Sequence, residues 1–171
     1  LTPSSFQDSR VLSVMSYFGP SGGSFSSEVM WADWTAQNGS AYSPQTPMLN
    51  DVMAIQSIYG ESTSTRTGNT VYGFSSNITG ASASFYDFTA NKNPILTIFD
   101  SGGTDTLNFS GWNSNSTINL EPGVYSSCNY MTNNIVLAYS CVIENAIGGK
   151  GNDVLTGNSS DNLLEGGNGN D

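Results

Sequence analysis

The carboxyl end of this chain repeats in nines. From Gly148 it reads GGKGNDVLT, then GNSSDNLLE, then GGNGND. Leu155 and Leu164 hold the eighth place of successive units, and Asp153 and Asp171 the sixth place of the first and third. The unit before Gly148 carries Glu144 sixth and Ala146 eighth, so the period fades gradually upstream. A fixed short period with one apolar place per unit predicts a parallel β-roll, in which each unit is a turn followed by a short strand. A flexible Gly/Asn linker would share the composition, but it has no reason to keep leucine in phase.

The turns have the chemistry of a calcium site. Calcium takes six to eight oxygen ligands in a flexible shell. A turn offers such a shell only when several backbone carbonyls point inward together, which demands dihedral angles that glycine accepts readily. Gly148, Gly149 and Gly151 supply such a turn, and Asp153 adds a negative oxygen. In a roll, alternate units lie on one edge, so the first unit should stack on the third. The expected shell is the carbonyls of Gly149 and Gly151 with Asp153, facing the carbonyls of Gly166 and Asn168 with Asp171.

A second acidic constellation, Asp100-Ser-Gly-Gly-Thr-Asp105, follows an apolar run at Ile95–Phe99. Alone it reads as a polar hairpin turn. Its presence beside the repeats makes it a second cation candidate. From Glu61 onward, short β-branched and aromatic runs at Thr70–Phe74, Ala83–Phe88, Ile95–Phe99, Thr106–Phe109 and Thr117–Leu120 predict strands between Gly, Asn and Ser punctuation. Before residue 60 one helix is expected. Thr46-Pro47 marks its start, Met48, Leu49, Val52, Met53, Ile55, Ile58 and Tyr59 recur at helical spacing as a core-facing stripe, and Gly60 marks its stop. The fold class is therefore mainly β, with two expected units, 1–60 and 61–171.

The charge balance narrows the partners. There are 14 acidic and 4 basic side chains, for a net charge of −10. No basic patch is available to meet nucleic acid phosphates or anionic lipid, whereas a divalent cation is a natural partner. Low charge with much glycine can mean disorder, but 3 Trp, 8 Tyr and 8 Phe are enough to build a core. No apolar run is long enough to span a membrane. Cys128 and Cys141 are equally readable as a disulfide or as two buried thiols. The chain starts at Leu1 and stops inside a repeat, which reads as a piece of a longer protein. It contains no histidine.

Several stretches together resemble the serralysin branch of the metzincin proteases. Ser13-Val14-Met15-Ser16-Tyr17 is similar to the Met-turn of that family. Pro47–Gly60 resembles the helix that closes its catalytic domain, and Thr65–Phe74 the start of its β domain. Asp100–Phe109 and Ile143–Gly149 match further stretches in the same order, so the likeness covers nearly the whole chain.

The resemblance implies a β-roll with β-sandwich-like strands, preceded by the last helix and Met-turn of a metzincin catalytic domain. It implies that Met15 is the apolar floor beneath a zinc, and that Tyr17 is the tyrosine able to stabilise the oxyanion of the tetrahedral intermediate. The zinc-binding H-E-x-x-H segment would lie upstream, in an amino-terminal catalytic part that this chain lacks, so the chain alone should be inert. For calcium the resemblance implies one site from Arg66, Gly68, Thr70, Asp100 and Asp105. An adjacent site would use Gly102, Gly103, Asp105, Val142 and Glu144, with Asp105 bridging. Val142 stands where the family usually has threonine, and Asn162 where an aspartate would complete the second repeat. A secreted, extracellular enzyme acting on protein substrates follows, its export signal lying beyond Asp171. The competing reading is a non-enzymatic calcium-binding repeat module of an adhesin or surface-layer protein, for which a Met-turn and closing helix would be superfluous.

Overall fold

The computed structural model describes residues 5–20 and 30–171. Positions 1–4 and 21–29, part of the expected amino-terminal unit, lie outside the described residues. The described chain is mainly β, with nine short strands and few helical residues. β1 (Val71–Gly73), β3 (Thr106–Asn108), β7 (Asn145–Ile147) and β9 (Leu163–Glu165) form one wholly parallel sheet. β4 (Thr117–Asn119) pairs in parallel with β8 (Val154–Thr156) in a second sheet. In the third, β6 (Ile135–Leu137) lies between β2 (Leu96–Ile98) and β5 (Tyr125–Ser126).

Strands β7, β8 and β9 start nine residues apart and fall alternately on the first and second sheets. One apolar residue from the middle of each strand points inward. Leu107, Ile118 and Ala146 are fully buried, Leu155 is partly buried against the same core, and Leu164 on the outermost rung is 40% exposed. Three-residue strands survive because each is paired in parallel with at least one neighbour and plugged by one apolar side chain.

The third sheet separates two apolar clusters. Leu96, Ile98, Ile135 and Leu137 face the cluster of Tyr72, Phe88, Phe109 and Ile118. Ile95, Val136 and Tyr125 face the other, with Val11, Trp34, Met48 and Leu49. The run Ile135-Val136-Leu137 is buried on both faces, so it lacks the alternation that marks a half-exposed strand. Sequence reading overlooks both it and β5.

Four local expectations are corrected. The helix α1 spans Leu49–Tyr59 with Met48 as its N-cap, two residues later than Thr46-Pro47 suggested. The Asp51 carboxylate sets this start by accepting the Met48 N–H at 2.9 Å. It also accepts from the Ser13 hydroxyl at 2.6 Å and the Val14 N–H at 2.9 Å, tying that turn to the helix. Thr46 is used elsewhere: its hydroxyl accepts the Thr97 N–H.

The apolar stripe of α1 is not all core. Met48 and Leu49 are buried, but Ile58 is 71% and Tyr59 83% exposed, with Met53 and Ile55 about half exposed. Helical spacing alone does not show how far the covered part of a face extends.

Ala83–Phe88, expected as a strand, opens instead as a one-turn helix, α2 (Ala83–Tyr86), after a 3₁₀ turn at Gly80–Ser82. The Asp87 carboxylate ends it by accepting the Thr89 N–H and hydroxyl. The turn lets Tyr86 pack edge-on against Tyr72 at 5.4 Å and brings Phe88 over Trp112 at 6.0 Å. Finally, Asp100–Asp105 is not a hairpin turn, because β2 and β3 belong to different sheets.

Cys128 and Cys141 are both buried and unpaired. Burial pushes each thiol up to about 12, so neither carries thiolate at neutral pH. Asn134 donates its amide to the Cys128 sulfur at 3.3 Å.

Candidate metal centre

Strand register brings the candidate ligands together. Val71 lies beside Thr106, Thr106 beside Asn145, and Asn145 beside Leu163. The residues that immediately precede these four, Thr70, Asp105, Glu144 and Asn162, therefore form a column at the entrance to the first sheet. Thr117 lies beside Val154, so Ser116 and Asp153 form the matching column on the other edge. Asp171 continues it.

A recurring hydrogen bond runs up both columns. The Thr70 N–H donates to Asp105 Oδ1 at 2.7 Å, and the Asp105 N–H donates to Glu144 Oε2 at 2.7 Å. On the other edge the Ser116 N–H donates to Asp153 Oδ1 at 2.6 Å, and the Asp153 N–H to Asp171 Oδ1 at 2.8 Å. Each acid thus anchors itself to the backbone of the preceding rung.

Asp105 is fully buried, yet its Oδ2 has no hydrogen-bond partner. A buried carboxylate oxygen without a partner carries a large desolvation cost unless a cation meets it. Thr70, Gly103 and Glu144 contact Asp105, and the Asp100 charge acts on it. A Cβ on Gly103 would fall 2.6 Å from the Gly68 carbonyl oxygen and 2.9 Å from Asp105 Oδ1, and the backbone there has φ +144°. Only glycine lets these oxygens approach so closely. A cavity of about 100 Å³ opens beside them, lined by Asp100, Gly102, Val142 and Glu144 among others.

Asp100 is held from behind. Tyr72 donates its hydroxyl to Asp100 Oδ2 at 2.6 Å, while Oδ1 accepts the Gly102 N–H at 2.9 Å. Arg66, at φ +50°, folds its guanidinium over the Tyr72 and Tyr86 rings and donates Nε to the Tyr72 hydroxyl at 2.7 Å. It also donates to the Phe99 carbonyl. Sequence reading finds Arg66 only as a carbonyl donor. The Arg66–Tyr72–Asp100 relay has no spacing signature and becomes visible only in three dimensions.

The first and third repeat turns stack. The Asn168 N–H donates to the Gly149 carbonyl at 3.0 Å, and a Cβ on Gly169 would meet the Gly151 carbonyl oxygen at 2.0 Å. Asp153 Oδ2 accepts the Gly149 N–H at 2.5 Å. Gly166 closes against Asp171 in the same manner, a Cβ there lying 2.6 Å from Asp171 Oδ2. A third layer lies beneath. The Trp112 carbonyl accepts the Lys150 N–H at 2.9 Å, and the hydroxyls of Ser114 and Ser116 are buried without partners. That layer has no carboxylate and so no motif to find.

Among the described residues, no three His, Cys, Asp or Glu side chains gather into a metal cluster. The turns fit a hard cation that leans on backbone carbonyls, and they do not fit zinc, which takes nitrogen, sulfur and carboxylate ligands in a tight tetrahedron. Met15 and Tyr17 belong to the turn anchored by Asp51 and are 80% and 86% exposed.

Burial raises the Asp105 carboxyl to about 6, with the nearby Asp100 and Glu144 charges adding to it and the Thr70 N–H opposing. An aspartate whose folded value stands above its ordinary 3.8 binds its proton more tightly when folded. Its contribution to stability is therefore full below that ordinary value and is lost as pH rises through about 6. Without calcium, the melting temperature of the chain should fall between pH 4 and pH 6.5, and Asp105→Asn should flatten that fall. Thermal melts in chelator across this range check it; parallel pH profiles for the two proteins would contradict it.

Residues 61–171 match the family described as peptidase M10 serralysin C terminal. The chain belongs to this family. Metalloprotease AprA of Pseudomonas entomophila is 41% identical over 164 residues, covering 93% of this chain and 31% of that protein. Serralysin C of Dickeya chrysanthemi is 44% identical over 150 residues, 87% of this chain and 28% of its own. A serralysin of Photorhabdus laumondii is 40% identical over 161 residues, 94% and 30%. The chain thus spans a little under a third of these relatives. No helix among the described residues is long and apolar enough to cross a membrane.

Proposed function

We propose that this chain is the calcium-stabilised carboxy-terminal portion of a secreted, serralysin-like zinc metalloendopeptidase. The observation that carries the calcium reading is the buried, unpartnered Asp105 Oδ2. The Asp100 and Glu144 charges act on this carboxylate, and Gly103 packs against it and the Gly68 carbonyl. Asp105 serves two ions, one with Arg66, Gly68, Thr70 and Asp100, the other with Gly102, Gly103, Val142 and Glu144. Val142 contributes its carbonyl, for which its side chain is immaterial. A third ion belongs between Gly149, Gly151, Asp153 and Gly166, Asn168, Asp171, in a parallel β-roll. Oxygen atoms that repel one another across stacked turns become ligands when a cation is present.

The proteolytic part of the reading rests on likeness to the metalloprotease relatives and on the Ser13–Tyr17 turn. Residues before about 60 form the end of a catalytic domain, and the rest forms the β-roll domain. The chain's own residues cannot hold zinc in that family's way, since it has no histidine. What it would bring to catalysis is an exposed phenol at Tyr17 and an apolar Met15, presented to an amino-terminal catalytic segment and a protein substrate. A pure repeat module of an adhesin would have no use for the Asp51-anchored turn. Extracellular calcium would then couple folding to export, because binding energy adds to folding energy.

The test is Asp105→Asn, with bound calcium counted by equilibrium dialysis. The variant should lose up to two ions while keeping the one at Asp153. An unchanged count would overturn the assignment.

A further inference from the structure

The first column contains one rung that differs in kind. Thr70, Asp105, Glu144 and Asn162 hold equivalent places, and the two acids each anchor to the preceding rung. Asn162 does not. Its Oδ1 accepts the Asn158 N–H at 2.8 Å, as Asp153 Oδ2 accepts the Gly149 N–H four residues earlier in its own turn. A Cβ on Gly157 would meet Asn162 Oδ1 at 2.2 Å, just as one on Gly148 would meet Asp153 Oδ2 at 2.7 Å. The turns are alike to this point.

They part at the other atom of the side chain. Asn162 Nδ2 donates to the Glu144 carbonyl at 3.0 Å and to Asn158 Oδ1 at 2.9 Å. Asn158 in turn donates its own amide to the Ile143 carbonyl at 2.8 Å and the Leu120 carbonyl at 3.1 Å. Its Oδ1 also accepts the Ser160 N–H at 3.0 Å. The carbonyls of Leu120, Ile143 and Glu144 and the side-chain oxygens of Asn158 and Asn162 are thus each met by an N–H. The contrast with Asp105 Oδ2, buried and unmet in the same column, is direct.

We propose that the Asn158–Asn162 amide pair stands in for a cation between turns 139–144 and 157–162, making this rung calcium-independent and Asn162 the residue that excludes an ion there. Two N–H donors supply the positive ends that a cation would supply, without any dependence on its concentration. The inference rests on the calcium reading of the neighbouring rungs only for its contrast. Asp at 162 would remove both donors and turn the amide contacts into oxygen facing oxygen, which a cation alone relieves.

The test compares Asn162→Asp with the unaltered 171-residue chain, using calcium as the probe. Calorimetry should show one more ion bound by the variant. In chelator its melting temperature should be lower by about 5 °C, since partly buried oxygens are left facing each other. Millimolar calcium should abolish that difference. An equal ion count in the two proteins, or a lowered melting temperature that calcium does not restore, overturns the proposal. The readout is the difference between variant and wild type, so a wild-type count of zero would overturn the calcium reading of Asp105 and Asp153 while the difference still decides Asn162.

Discussion

Stripping calcium from the chain should lower its melting temperature by about 15–30 °C. At calcium a hundredfold above its dissociation constant, each site adds about 2.7 kcal/mol to folding. Three sites give on the order of 8 kcal/mol, and a protein of this size shifts by roughly 2–4 °C for each kcal/mol. The loss should be uneven. The stack of turn 166–171 on turn 148–153 brings Asp153 and Asp171 to adjacent rungs, the Asp153 N–H donating to Asp171 Oδ1 at 2.8 Å, and beside it lies little apolar surface. Val154, Leu163 and Leu164 are 60%, 58% and 40% exposed, so packing does little to hold the outer rungs. Around Tyr72, Phe88 and Phe109 the core is fully buried and should outlast the turns. Circular dichroism melts with calcium and with chelator read the shift, and superimposable curves would contradict it.

In the full-length parent, Tyr17→Phe should lower kcat by about ten- to a thousandfold, the range for losing one oxyanion donor. Substrate affinity should change much less, because that hydrogen bond is made mainly in the transition state. The fold should not suffer. Tyr17 is 86% exposed, and its turn is held by the Ser13 and Val14 bonds to Asp51, not by the phenol. Steady-state kinetics on a protein substrate, with calcium present, make the comparison. A parent without peptidase activity, or an unchanged kcat, would remove Tyr17 from the reaction.

How much of this was legible in the sequence depended on whether a feature repeats. Glycine, aspartate and leucine at fixed phase located the turns of 148–153 and 166–171 and their pairing two units apart. The acids at 100 and 105 stood out as a glycine-flanked acidic turn and Glu144 as the sixth place of a fading repeat, but grouping them came through family likeness, since 39 residues separate Asp105 from the Glu144 carboxylate it meets. Strand register alone makes them neighbours. Features that depend on packing were misread. Ala83–Phe88 has the composition of a strand, yet Tyr86 and Phe88 reach the core only after a helical turn. Ile55 and Ile58 keep helical spacing with Leu49, but they stay 51% and 71% exposed among the described residues. Asn162 registered as a missing aspartate, and only its hydrogen bonds reveal what it does instead.

Elemental analysis of the purified 171-residue chain, dialysed against millimolar calcium and trace zinc, tests the central claim most directly. Three calcium ions per chain and no stoichiometric zinc are expected, from the Asp105 and Asp153 turns and the absence of histidine. A chain that retains no calcium under these conditions, or that takes up zinc in its place, would contradict the account.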